Sequence, residues 1–335
     1  MKMTLTILSS LVLIIFLALV GLYLDLIYYS DRPASDDVSH ITFNMTPGHN
    51  FSLAAEKLHN SGLVASPFRF RLLARIKGYD KKIKAGEYLL SPSMTPTGIL
   101  EILVKGKVKQ YKFTIPEGYN LKQIAEIVSS AGFGPSSDFL SIVYNRVSAQ
   151  KDFGKEALTY EGYLFPDTYY FPKGVTPKDI VAGMKKRFWN EFKSEWKTQT
   201  KVLGLSIHEV VTLASIIEKE TGIPSERPII SSVFHNRLRI GMRLQTDPTV
   251  IYGLKNFNGN LTRKHLSTPT AYNTYVIKAL PPGPIASPGA AAIEAALYPD
   301  GTKFLYFVSK NDTTHKFSTN LRDHNKAVRK YQLRR

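Results

Sequence analysis

The carboxyl group in this sequence best suited to chemistry is Glu218, in the run Leu213-Ala-Ser-Ile-Ile-Glu218-Lys-Glu-Thr221. Ser206 with Glu209 three residues later is a capping-box pattern, and apolar residues recur at helical spacing from there to Thr221. At about 100° per residue, Ile207, Val210, Val211, Ala214, Ile217 and Glu218 fall in one sector, whereas Lys219 and Glu220 project from other sides. A carboxyl group among apolar neighbours loses hydration of its charged form. Its pKa rises, and it keeps the proton that a general acid must deliver. The wheel leaves a second reading open, in which Glu218 is a stripe-edge residue paired with Arg227, Arg237 or Arg243.

Two polar stretches downstream could hold a ligand for that acid. Arg243-Leu-Gln245-Thr246-Asp247-Pro-Thr-Val-Ile-Tyr252-Gly253 follows a helix that Ser225 can cap and that runs to about Arg239. It offers donors and acceptors beside an aromatic ring, which suits a hydroxyl- and amide-rich molecule. Tyr272-Asn273-Thr274-Tyr275 offers the same groups ahead of the rigid loop Leu280-Pro-Pro-Gly-Pro-Ile285. Gln245, Thr246, Asp247, Tyr252, Tyr272, Asn273 and Tyr275 are therefore candidate substrate-binding residues.

The elements that must position these groups read as α+β. Phe43 to Leu58 aligns without gaps on Phe113 to Val128, matching Gly48 with Gly118, Asn50 with Asn120 and Glu56 with Glu126. Each copy reads as a strand, a Gly turn and an amphipathic helix, a unit suited to binding or positioning. Between the copies, Ala85 to Leu90 reads as a strand and Thr95 to Lys105 as a helix. Thr176 and Pro177 open a helix carrying Lys185, Lys186, Arg187, Phe188, Trp189, Phe192 and Trp196, whose aromatics read as core. Ser287 and Pro288 start an Ala-rich helix, and the chain ends in a basic one.

The chain of 335 residues carries 44 Lys and Arg against 27 Asp and Glu, a net charge of +17, and no cysteine. Disulfides, Cys-type metal sites and thiol nucleophiles are thereby excluded. From Met3 to Leu24 no charge interrupts an apolar run long enough, at about 1.5 Å per residue, to cross a hydrocarbon core of roughly 30 Å. It leads into Asp25 and interface-type tyrosines rather than a cleavage site, so we expect an uncleaved anchor. Lys2 before the run and Asp25 and Asp31 after it fit a cytoplasmic N-terminus and an external body. An external basic body meets anionic lipids and wall polymers before nucleic acid, for which no recognition motif is present.

Together, Leu213 to Thr221, Phe234-His-Asn-Arg-Leu238, Arg243 to Gly253, Tyr272 to Tyr275, Leu280 to Pro284 and Glu161-Gly-Tyr-Leu-Phe-Pro-Asp-Thr-Tyr169 closely resemble the endolytic murein transglycosylases, the YceG-like family. The resemblance covers nearly the whole chain. It implies residues 1–29 as cytoplasmic N-terminus and transmembrane anchor, 30–40 as linker, 41–150 as a LysM-like α+β module with the internal repeat, and 151–335 as a larger mixed α+β catalytic domain. It places the catalytic glutamate on Glu218, which would cut peptidoglycan strands internally to leave 1,6-anhydro ends, without metal or organic cofactor. A hydrolase would need a second carboxylate; Glu220 is turned about 200° away on the helix, which leaves Asp247. The resemblance further implies an inner-membrane protein whose partners are glycan strands and cell-wall synthases, with no nucleic acid. A non-catalytic, membrane-anchored peptidoglycan-binding scaffold is the alternative.

Overall fold

The computed structural model describes residues 2–48 and 50–333, with side chains from Ile7 onward, so the side chain of Lys2, on which the expected orientation rests, lies outside the described residues. The chain divides into two compact units. The first comprises residues up to 111 together with 171–174. Its helix α1 (Lys2–Ser30) is continuous, and its apolar side chains from Ile7 to Leu24 are exposed apart from the chain. Strands β1 (Ile41–Met45) and β2 (Gly86–Leu90) pair antiparallel with Phe43 opposite Tyr88. Alternation turns Phe43 and Met45 inward and leaves Thr42 and Asn44 in solvent, as a one-sided sheet requires.

Three short helices cover that sheet: α2 (Phe51–Asn60), α3 (Pro67–Ile76) and α4 (Pro96–Lys105). Each begins where Asn50, Ser66 or Thr95 accepts the backbone N–H three residues on, and α3 and α4 carry proline at the first helical position. Leu58, Phe70, Tyr88 and Leu100 are fully buried between the layers.

The second unit, residues 112–170 and 175–335, is mainly helical. Strand β3 (Gln110–Thr114) pairs with β4 (Thr168–Pro172), and α5 (Leu121–Ser130), α6 (Ser136–Val143) and α7 (Arg146–Phe153) lie between them in sequence. Helices α8 (Pro177–Glu191) and α9 (Ser194–Leu203) follow, and Phe188, Phe192 and Trp196 are buried in an aromatic core with Tyr163 and Phe153, whose rings stack at 4.0 Å. The helical rod α10 (Ile207–Glu220) is buried from Val210 to Ile217 and packs on α14 (Ala290–Leu297). Helices α11 (Arg227–Arg239) and α12 (Asp247–Gly253) pack on α10, and α13 (Arg263–Ser267) packs on α12. The chain closes with the hairpin β5 (Tyr306–Ser309) and β6 (His315–Ser318) and helix α15 (Leu321–Tyr331).

The repeat is real as local structure. In both copies a strand leads through a left-handed glycine, Gly48 at φ 83° and Gly118 at φ 74°, into a helix capped by Asn50 or Asn120. The two copies fall in different compact units. The chain divides into compact units after Tyr111, and the second copy falls in the larger one. Alignment of the copies reports their shared local geometry, whereas unit membership is set by which long-range surface each helix covers.

Candidate active site

Helix α10 starts from the expected capping box: Glu209 N–H donates to Ser206 Oγ at 3.2 Å and Ser206 N–H to the Glu209 carboxylate at 2.8 Å. Its polar side chains then bind the proline-rich loop. The His208 ring links Tyr163 Oη, at 2.7 Å, to the Pro282 carbonyl, at 2.9 Å, and Ser215 Oγ accepts Ile285 N–H at 3.0 Å. Gly162 completes the packing, because a β-carbon there, at φ 82°, would overlap Pro284 and Val211. The loop after Ile285 is clamped to the turn of the second repeat copy. Gly118 N–H donates to the Ser287 carbonyl at 2.9 Å, and Ser287 N–H returns to the Tyr119 carbonyl at 2.8 Å.

That clamp sets two segments around Glu218, whose side chain is only 6% exposed. One carboxylate oxygen accepts Gly289 N–H at 3.0 Å, at the N-cap of α14, where the helix dipole favours negative charge. The other lies 3.4 Å from Arg227 Nη2. The same nitrogen lies 3.8 Å from the carboxylate of Glu117, a side chain 50% exposed. Lys219 turns aside to donate to the Gly118 carbonyl at 3.2 Å. Glu117 rests over Gly289, and a β-carbon there would overlap its carboxylate. Burial raises the pKa of Glu218, with a further upward push from the charge of Glu117; Gly289 N–H, Arg227 and Lys219 pull it down without reversing the direction. Both readings of the wheel thus meet in one residue: Glu218 has an arginine partner, and it still holds its proton more tightly than an ordinary carboxyl group.

Glu220 turns away from Glu218 as the helix demands. It lines a cavity of about 490 Å³ with Arg237, Gln245, Asp247, Tyr275 and His315, a cavity that Glu218 does not line. Burial, reinforced by Asp247 and opposed by Thr246, pushes its pKa up to about 7. Tyr275 Oη donates to Asp247 at 2.7 Å. Gln245, Asp247 and Tyr275 are therefore brought together, with a polar space in front of them. Tyr252 and Tyr272 form a separate pair, ring centroids 4.8 Å apart. Tyr252 Oη donates at 3.0 Å to Glu161, which also accepts Leu121 N–H at 3.2 Å. Burial pushes the pKa of Glu161 up to about 8.

Two expected binding residues lie inside the loop. Asn273 is fully buried, its amide donating to the carbonyls of His265, Leu266 and Thr268 while its oxygen accepts Tyr275 N–H at 2.9 Å. Thr246 is buried too; its N–H donates to Thr274 Oγ1 at 3.0 Å and its carbonyl accepts Thr249 Oγ1 at 2.8 Å. Asn273 braces the loop through its side chain, whereas Thr246 does so through its backbone, its buried hydroxyl lying against the Glu220 carboxyl. Sequence reasoning missed Glu117, Gly289 and the burial of the Glu161 carboxyl. A signal existed for the first: in the aligned copies Glu117 replaces Pro47, so only the second copy carries a carboxylate beside its turn.

With the geometry in place, comparison with known proteins is direct. A model of the YceG-like family matches residues 43–330. An endolytic murein transglycosylase of Bacillus subtilis is 32% identical over 311 residues, spanning 88% of this chain and 86% of that protein. Another, from Streptococcus pneumoniae strain D39, is 30% identical over 353 residues, spanning 94% of this chain and 63% of that longer protein. The crystal structure of a yceG-like protein from Listeria monocytogenes superposes with a TM-score of 0.59 at 34% identity, covering 86% of this chain and 99% of that one.

Proposed function

The chain belongs to the YceG-like family, and on that premise we propose that it is an endolytic peptidoglycan transglycosylase with Glu218 as its catalytic acid. The observation that supports the assignment of Glu218 is its carboxyl group, buried so that its pKa is raised yet facing Gly289 N–H and Arg227, two groups that stabilise it once the proton is gone. Glu218 protonates the oxygen joining N-acetylmuramic acid to N-acetylglucosamine, and the bond from that oxygen to C1 breaks. The new carboxylate withdraws the proton of the muramyl 6-hydroxyl while O6 closes on C1. The products are a 1,6-anhydro end and a free 4-hydroxyl; no water is consumed and Glu218 is again protonated. Gln245, Asp247 and Tyr275, which line one polar cavity, hold sugar hydroxyl and acetamido groups.

The strand cut inside its length is thereby released or terminated, and cell-wall synthases that extend the same strands are the partners this reaction calls for. The apolar helix α1 anchors the protein in the cell membrane by a single pass, N-terminus inside and body outside, and residues 41–150 serve as a LysM-like module. The test is mass spectrometry of fragments from uncrosslinked peptidoglycan incubated with the full chain and with Glu218→Gln. Internal fragments ending one water lighter than hydrolysis products, lost by about 10²-fold or more in the variant, are expected. Reducing ends from the unaltered protein would overturn the transglycosylase chemistry, and full activity of the variant would overturn the role of Glu218.

A further inference from the structure

Helix α1 does not stop where its apolar run stops. Leu26 and Tyr29 are buried in the same core as Phe70 and Leu73 of α3. Tyr29 Oη donates at 3.2 Å to the carbonyl of Ser66, the residue whose side chain caps α3, and Asp25 holds Arg69 at 2.9 Å. Asp25 is the first charged residue after the run, so these contacts fix the opening turn of α3 level with the end of the apolar segment. A carboxylate at that depth is costly unless paired, and Arg69 supplies the pairing.

What α3 displays at that level is unusual for a surface in water. Phe68 is 61% exposed, next to Arg69, and Ile76 is also exposed. Phe68, Arg75 and Ile76 fall within one sector of about 100°, together with Leu72, which is half-buried against the core. From Arg69 to Lys84 the chain carries Arg69, Arg71, Arg75, Lys77, Lys81, Lys82 and Lys84 against the single acid Asp80. An apolar stripe bordered by basic side chains is the composition of a helix lying in a bilayer interface, where rings enter the headgroup region and cations meet anionic lipid.

We infer that α3 is a second membrane contact, a helix through which the first unit rests on the bilayer crossed by α1, with Phe68 at the boundary of headgroups and acyl chains. The inference rests on the reading of α1 as a membrane span. Because the chain has no cysteine, single cysteines can be introduced and spin-labelled without background. The full chain is labelled at Leu17→Cys in α1, at Phe68→Cys, and at Val147→Cys, an exposed position of the second unit, and placed in nanodiscs of phosphatidylethanolamine and phosphatidylglycerol. The ratio of oxygen to nickel-chelate collision rates is expected to be highest at 17, several-fold above position 147 at 68, and lowest at 147. A label at 68 that behaves like 147 while 17 lies in hydrocarbon overturns the inference and spares the anchor. A label at 17 that reports water overturns both. Arg75→Glu with Lys77→Glu is expected to lower the ratio at 68 several-fold; an unchanged ratio overturns the contribution of anionic lipid.

Discussion

Glu117→Gln isolates the contribution of one charge to the acid. The substitution keeps the shape of a side chain that lies over Gly289 and removes its negative charge. Because Glu117 and Glu218 both contact Arg227 Nη2, at 3.8 and 3.4 Å, their oxygens are separated by no more than about 7 Å. Over that distance two unit charges repel by about 2 kcal/mol at an effective dielectric constant of 20 and by about 0.6 kcal/mol in bulk water. Glu117 is half exposed, so solvent screens the interaction and about 1 kcal/mol is the working figure. Glu218 must be protonated to act, so its ionisation sets the falling limb of kcat/KM at high pH. Removing a neighbouring negative charge makes that ionisation easier and moves the limb to lower pH. On the limb, about 1 kcal/mol is about a fivefold loss of rate, while on the acidic plateau the variant should match the unaltered protein. The assay is the initial rate of anhydro-end release across pH at low ionic strength, repeated in high salt, where the difference should shrink. A limb that stays in place would refute the electrostatic reasoning. A uniform fall at every pH would mean that Glu117 takes part in the chemistry itself.

Gly289→Ala should reproduce that pH profile, because its methyl group displaces the flexible Glu117 carboxylate, while the melting temperature changes by no more than a few degrees. Asn273→Ala should lower stability by about 2–4 kcal/mol, read as a loss of melting temperature, and leave KM unchanged below the transition; a raised KM in a fully folded variant would restore it as a ligand-binding residue. Glu161, pushed up to about 8, binds a proton in the folded chain that the unfolded chain releases at ordinary carboxyl pH. Stability should therefore fall as pH rises from about 4.5 through 8, and Glu161→Gln should flatten that slope in melting curves; an unaltered slope would assign it to Glu220 instead.

Periodicity carried the reading of α10, because burial of a helix is written into the angular order of its residues, and a capping box marks its start by chemistry that acts over three positions. The same holds for Thr176 and Pro177 at α8 and for the turns of the two repeat copies. Legibility fails where the partner is far along the chain. Nothing local to Glu117 indicates that Arg227 and Gly289 will surround it. Asn273 and Gln245 look alike in sequence, since a polar loop residue has the same composition whether it faces inward to carbonyls or outward to a cavity. Unit membership is hard to read for a related reason: a strand, a turn and a helix can be recognised locally, but the surface that the helix covers is a long-range choice.

The burial of Leu26 and Tyr29 bears on how such a protein can be handled. Cutting the chain at residue 30 would yield a convenient soluble fragment, but it would also withdraw two large side chains from the core of the first unit, and vacating a buried site of that size costs about 2–5 kcal/mol. A fragment that begins a turn or two earlier keeps those side chains and brings greasy residues such as Ile27 and Tyr28 into solution. Purification in detergent or nanodiscs avoids that choice, and loss of activity in a fragment trimmed at residue 30 would say more about a damaged fold than about any need for lipid.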